Sequence, residues 1–417
     1  MKKRALVSLI ILSISYAVFS QALQPNDSIK KFVDFLNNNK FMSPKEYVLN
    51  SFKKKDIIVL SERLHPEFTQ YEMIVNIIKD NQFKGNVYTE VGVYNVGKQI
   101  NEFLAKEGLS EDEVKEEILS IFKNLDYTPL WPLYNYYYLI ESIYKINQKR
   151  KSEDKVYLFP LDIIFDWNSM KYSEQYSMFD GMMEPQNGFR PVIERNAIMG
   201  EHFVVAYEKA KYHNPNKKKA LVILNTYHGY MRIPKIISNP KEPTIYSTAE
   251  YIYKTYPNIT KGILINGYSF STISEFVAGG KWDAAFKIAG NKNIGFDMKN
   301  TPFGTTQFDM YNFGGDFDNK ERFEYLFDGF VFYKPIENFE IAIGIPDLFN
   351  DSSFLEEFYR RTAIVENISL SEAKSSSEIK ESIQAFNVLG EENIKDSEYF
   401  KQVVEDLNIA MDKWIIK

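Results

Sequence analysis

Short apolar segments recur along this chain, and several end on a polar side chain with chemistry to offer. Ile57 to Leu60 runs into Ser61-Glu62-Arg63-Leu64-His65. Asn86 to Glu90 ends on a carboxylate, Lys155 to Ile163 carries Asp162 at its end, and Ala220 to Asn225 leads into Thr226-Tyr227-His228. Ile259 to Ile265 and Gly329 to Tyr333 complete the set. Unbroken apolar runs, rather than strict alternation, are expected of strands covered on both faces in a parallel sheet.

Between these segments the apolar residues recur at spacings of three and four, the helical period. Ile29, Phe32, Phe35 and Leu36 mark a helix over Ser28 to Phe41, and Tyr47, Val48 and Phe52 mark one over Pro44 to Lys54. Pro66 suits a first helical turn and opens a helix through Phe68, Tyr71, Ile74, Val75 and Ile78. Further helices are predicted over Asn95 to Lys106, Ser110 to Lys123, Trp131 to Asn147 and Pro191 to Lys211. Asp166 to Gly188 is too long for an ordinary loop and is a candidate lid or substrate-binding insertion. From Gly279 the composition turns to Gly, Asn and Asp. The last residues again read as helices, Ser352 to Val365, Ser369 to Phe386 and Ser397 to Ile415, with a break at Ser375 to Ser377.

Strands alternating with helices predict an α/β fold: three layers, a mostly parallel sheet with helices on both faces, and a helical C-terminal cap. The division expected is a leader over residues 1–20, an α/β domain over 21–345 and a helical extension over 346–417. Lys2, Lys3 and Arg4 precede the apolar run Ala5 to Phe19, the pattern of a cleaved export signal. That run is shorter than a membrane span requires, so no stable span is expected after cleavage and the mature protein is expected in the periplasm or outside the cell.

Composition narrows the chemistry. The 417 residues are 44% hydrophobic, enough for a large core, and the net charge of -6 comes without a basic stripe, which argues against nucleic acid as a partner. An exported chain with no cysteine must be stabilised by packing alone, and it offers neither a thiol nucleophile nor a thiolate metal site. Nothing in the pattern specifies an oligomer.

In open parallel sheets ligands bind beyond the carboxyl ends of the strands, where Glu62, His65, Glu90, Asp162 and His228 fall. Glu62, three positions before His65, can hold that ring in one tautomer, which makes His65 a candidate general base. Glu90 is a second candidate base, or it orients the attacking water. His228 is a candidate donor to a developing oxyanion. Arg195 is a candidate for holding an acidic substrate group, with pairing to Glu194 or Glu201 as the structural alternative; Asp162 reads equally as a cap on the turn that follows. Of the other histidines, His202 reads as a helix-face residue and His213 as a solvated loop residue. The sequence requires no cofactor, yet two histidines with carboxylates also suit Zn²⁺ or Mn²⁺. Asn266-Gly267-Tyr268-Ser269-Phe270-Ser271 is a weak match to a serine-hydrolase elbow, because Ser271 stands where the second glycine belongs. Asp316, Asp318 and Glu321 lack the glycine of a calcium loop.

Ser61-Glu62-Arg63-Leu64-His65 resembles the Gly-Glu-x-x-His opening of the erythromycin esterase family, itself similar to ChaN-like haem-uptake and TraB/Tiki-type proteins. Thr89-Glu90, Pro160-Leu161-Asp162, Arg195 with Met199, and Leu224-Asn225-Thr226-Tyr227-His228 resemble that family's later motifs, in order. The resemblance implies ester hydrolysis with His65 as base, assisted by Glu62, Glu90 and His228 and without a covalent serine intermediate. Asp162, Arg195 and Asn225 would then bind a small-molecule or peptide substrate. It also implies two alternatives: a haem- or ligand-binding protein without turnover, or a metal-dependent peptidase holding its ion with Glu62, His65, Glu90 and His228. Ser61, Asn225 and Asn196 depart from the family's Gly, His and Asp, which points away from macrolide cleavage towards another ester, amide or peptide.

Overall fold

A computed structural model of the chain describes residues 23–183, 190–233, 247–268, 276–310, 321–388 and 398–416. The expected leader, Ser269 and Ser271, Asp316 and Asp318, and the end of the Asp166 to Gly188 insertion lie outside the described residues. Seven strands form the central sheet: β1 (Ile57–Glu62), β2 (Gly85–Val93), β3 (Leu158–Asp162), β4 (Lys219–Asn225), β5 (Thr260–Ile265), β6 (Ile294–Asp297) and β7 (Gly329–Phe332). Their spatial order is β3-β2-β4-β1-β5-β7-β6. All pairings are parallel except β6 with β7, so the α/β expectation of a mostly parallel sheet with helices on both faces and a helical C-terminal region describes the molecule.

Alternate strand residues point to opposite faces, and the two faces have separate cores. Ile58, Leu60, Leu221 and Ile223 pack with Tyr71, Ile74, Ile100 and Tyr136 on one face. Ile57, Val59, Val222 and Leu224 pack with Met199, Phe203 and Ile252 on the other. A third cluster, rich in phenylalanine, joins Phe330 and Phe332 to Ile29, Phe32, Trp282, Phe303 and the C-terminal Phe400, Leu407 and Met411. The C-terminal helices divide between these cores: Phe354 and Phe358 of the Ser352–Val365 helix belong to the first, the Glu398–Asp412 helix to the third. Ile415–Ile416 then pairs with Gln24–Pro25, bringing the two ends of the described chain together.

Strand order places a switch point at the centre. β1 is followed by the Thr69–Lys79 helix on the first face, and its neighbour β4 leads to the Thr248–Thr255 helix on the second. Chains leaving adjacent strands on opposite faces open a crevice at the carboxyl edge.

The element boundaries differ from the sequence expectation in several places: the helix expected to open at Pro66 begins at Thr69, and the strand expected to end at Glu90 runs on to Val93. The strand expected over Lys155 to Ile163 begins at Leu158, because Lys155 is held outside it by Ala105 O and Glu107, and Val156 N–H donates to Asn147 Oδ1 at 2.8 Å. The helix expected from Trp131 begins at Tyr134, after Pro132. Gly295-Phe296-Asp297, read only as a change of composition, forms the antiparallel strand β6. Within the described part of the Asp166 to Gly188 insertion, Ser173–Met183 is helical.

Asp283, in the first turn of the Lys281–Ile288 helix, is partly buried, and burial reinforced by Glu337 pushes its carboxyl up to about 7. A raised folded-state pKa means that the native protein binds the proton more tightly than the unfolded chain, so stability falls as pH rises from about 4 to about 7. Asp283→Asn removes that loss. Urea unfolding should show a gain on the order of 2 kcal/mol at about pH 8, shrinking towards zero near pH 4; a gain of the same size at both pH values, or none, contradicts this account.

Candidate functional site at the carboxyl edge

Glu62, the last residue of β1, lies on the face covered by the Thr69–Lys79 helix, and Tyr71 of that helix donates to Glu62 Oε2 at 2.9 Å. The other carboxylate oxygen lies 2.5 Å from His65 Nδ1. Tyr71 had been legible only as part of an apolar stripe; a tyrosine serves the core with its ring and the site with its hydroxyl.

The loop between Glu62 and His65 is held from below by Arg63, which is fully buried. Its guanidinium contacts Glu67 Oε2 at 2.9 Å, Thr69 Oγ1 at 3.1 Å and Asn266 Oδ1 at 2.8 Å, reaches Tyr333 O, and lies 3.8 Å from the Phe339 ring centroid. Glu67 is also buried and accepts from the N–H groups of Thr69 and Gln70. Every charge in this knot has hydrogen-bonding partners, the condition under which a buried ion pair is tolerated.

Glu90 reaches the pocket through an irregularity in β2. Thr89 pairs with Pro160 and Val93 with Asp162, so the β2 side carries two extra residues between these pairs. The bulge turns on Gly92, whose φ is 101°, and is tied down by Tyr136 OH donating to Val91 O at 2.7 Å. A bulge of this kind re-aims a side chain. Here Glu90 points at β4, where the Asn225 N–H donates to its Oε2 at 2.7 Å.

Three nitrogens surround the other oxygen, Glu90 Oε1: His228 Nε2 at 3.2 Å, His65 Nε2 at 3.6 Å and Arg195 Nη2 at 3.8 Å. His228 is fully buried, and Glu90 retains 5% of its exposure and His65 22%. Burial opposes ionisation of Glu90, but His228 and His65 outweigh it and hold the carboxylate well below its usual range. Burial also works against a charged His65; the charges of Glu62 and Glu90 prevail and push the ring up to about 10. Trp131 stands edge-on to His65, with centroids 5.2 Å apart.

Arg195, for which pairing with Glu194 or Glu201 was the structural alternative, forks onto Asp162, Nε to Oδ1 at 2.9 Å and Nη2 to Oδ2 at 2.7 Å. Asp162 Oδ1 also accepts from Ile163 N–H at 2.8 Å. Beside them Asp126 is buried, and burial pushes its carboxyl up to about 6 despite the Thr128 N–H that it accepts from; no motif had marked it. His202 Nδ1 lies 2.8 Å from Leu161 O and its ring stacks on Tyr94, a structural position. All seven candidate residues, Glu62, His65, Glu90, Asp162, Arg195, Asn225 and His228, are thus linked in one network. Asn225 enters it through its backbone, while its side chain faces Arg63 O at 3.4 Å.

Among the described residues, the ligand atoms of Glu62, His65 and Glu90 lie within 4.8 Å of one another, a set able to coordinate a divalent metal ion. A cavity of about 780 Å³ opens elsewhere, by Thr260 at the start of β5 and Asp297 at the end of β6. Lys261 and Arg232 on its wall are already paired with Asp297 and Asp328.

No protein-family model matches the chain, and no curated protein does. Solved structures give distant likenesses. An erythromycin esterase mutant in its open conformation aligns with a TM-score of 0.45 and 10% identity, over 74% of this chain and 96% of that one. A Bacillus cereus protein gives 0.42 and 12%, over 74% and 94%. Haem-bound ChaN of Campylobacter jejuni gives 0.33 and 12%, over 55% and 89%. These are weak, low-identity similarities to esterase-like and haem-binding proteins, and they assign no family.

The turn after β4 runs so close to β1 that a methyl group on Gly229 would collide with the Ser61 hydroxyl. Gly229→Ala should therefore destabilise the fold by about 1–3 kcal/mol, and the Ser61→Gly, Gly229→Ala pair should recover most of that loss in a thermal unfolding cycle. Strictly additive losses would show that the two positions do not meet.

Proposed function

We propose that the protein binds a divalent metal ion with Glu62, His65, Glu90 and His228 and acts as an exported hydrolase of an ester or amide bond in a small molecule or peptide. The observation that carries this reading is the convergence of two carboxylates and an imidazole within 4.8 Å. Oxygen and imidazole donors suit Zn²⁺ or Mn²⁺, and such an ion supplies Lewis acidity. The chain's own groups prepare the site. Tyr71 and the Asn225 N–H each occupy one oxygen of a carboxylate, leaving the other directed at the cluster. Trp131 packs edge-on against the His65 ring, and the Arg195–Asp162 fork sets a fixed positive charge beside Glu90.

Without an ion, the general-base reading of His65 meets an obstacle. A ring held between two carboxylates and pushed up to about 10 is already protonated at neutral pH, and a protonated imidazole accepts nothing from water. Export rests on the basic and apolar pattern of residues 1–20; among the described residues no helix is long and apolar enough to cross a membrane.

Purified protein, stripped with chelator and reloaded with Zn²⁺ or Mn²⁺, should retain about one ion per chain by elemental analysis, and His65→Ala and Glu90→Gln should each lose it. Hydrolysis of an ester and amide panel should fall about 10²-fold or more in the same variants. Wild-type protein that retains no metal defeats the proposal. Haem added to the metal-free protein should leave its absorption spectrum unchanged; a shifted band that disappears in His65→Ala would replace the hydrolase with a haem carrier.

A further inference from the structure

His228 is the most deeply buried member of the cluster, and its ring has two nitrogens with different neighbours. Nε2 faces Glu90 Oε1 at 3.2 Å, while Nδ1 lies 2.6 Å from Asn196 Oδ1. Asn196 follows Arg195 on the Arg190–His213 helix and is itself completely buried. An asparagine amide offers either an oxygen or an NH₂ group, and the two look alike. Here the neighbours decide between them. Thr248 N–H, a group that can only donate, reaches the same amide atom at 3.2 Å, and the Thr248 hydroxyl reaches it at 2.9 Å. The atom is therefore the oxygen, and the hydrogen shared with His228 must come from Nδ1.

Ring orientation follows from the same contacts. Turning the imidazole over would exchange each nitrogen for a carbon, so both Asn196 Oδ1 and Glu90 Oε1 would face C–H groups. The anchor of this arrangement is itself fixed. Thr248 opens the Thr248–Thr255 helix, whose N-cap Ser247 accepts from Glu250 N–H at 3.0 Å and donates to Tyr230 O, two residues beyond His228.

We propose that Asn196 is a positioning residue: by accepting from His228 Nδ1 it directs Nε2 at Glu90 Oε1 and completes the cation site. This rests on the metal-binding reading. It also accounts for Asn196 standing where the resemblance leads one to expect aspartate, since the amide keeps the acceptor and omits the charge.

The test uses the full-length mature protein, with zinc as the probe. In the metal-free wild type, ¹⁵N-resolved NMR of the four histidines should show a slowly exchanging ring Nδ1–H that His228→Gln removes. Asn196→Leu, similar in size but without an acceptor, should abolish that signal and weaken zinc binding about 10–100-fold, the usual effect of removing a partner that orients a metal-ligating histidine. Asn196→Asp should preserve both the signal and the binding. On zinc addition the wild-type His228 Nε2 resonance should shift while Nδ1 stays protonated. An unprotonated Nδ1 in wild type, or unchanged zinc affinity in a folded Asn196→Leu protein, overturns the assignment. If Asn196→Leu does not fold, the wild-type nitrogen shifts decide it alone. A wild type that binds no zinc defeats the metal-binding reading, whereas zinc bound normally with a wrong His228 tautomer defeats only this one.

Discussion

A carboxylate carried to the end of a parallel sheet, with 5% of its side chain left to water, is costly unless the lost hydration is replaced. Glu90 is in that position, and the rest of the site can be understood as the replacement. Three nitrogens from three separate segments stand around Oε1, and a backbone N–H satisfies Oε2. No two of these segments adjoin in the chain except at Asn225 and His228. They meet because the strand order sets β4 between β1 and β2, bringing the turns after β4 and β1 to one side of the β2 bulge, with β3 on the other. Removing Glu90 would leave His65 close to Glu62 alone and Arg195 to Asp162, so the pocket would lose the atom on which its parts converge.

Two kinds of buried charge coexist a few residues apart, and they do different work. The Arg63–Glu67 pair is saturated: each charge is met by several hydrogen bonds, and Asn266, Tyr333 and Phe339 close around it. Such a pair adds little net stability but is expensive to break, because either partner alone would be an uncompensated buried charge. It therefore acts as a rigid floor for the Glu62 to His65 loop. Above that floor, His65 and His228 stand 3.6 Å and 3.2 Å from Glu90, longer than a good charged hydrogen bond.

The strand ends were legible in the sequence because an apolar run followed at once by Glu, His or Asp marks the place where a covered strand leaves the core of an α/β chain. Helices were legible through their period, down to the break at Ser375 to Ser377. What escaped notice depends on contacts across the fold. Asp126 and Tyr71 carry no local pattern that sets them apart from a loop acid or a core aromatic, and Asn196 stands out in the sequence only as a departure from the motif, not as a partner of His228. The strand β6 was missed because four residues at a sheet edge, beginning Ile294-Gly295, are too short to show a period. Boundaries slipped where a side chain ties the backbone elsewhere, as Asn147 does at Val156.

The departures from the motif pattern acquire a common physical sense once the site is assembled. Ser61 adds a hydroxyl where glycine was expected, and the room for it comes from Gly229 on the facing turn, whose carbonyl lies 3.3 Å from that hydroxyl. Asn225 lacks an imidazole, yet the atom that serves Glu90 is its backbone N–H, which any residue other than proline supplies. Asn196 lacks a charge but keeps the oxygen that His228 and Thr248 share. At positions 196 and 225 the substitution spares the atom on which the core of the site depends, and at 61 the facing turn makes room for the added group.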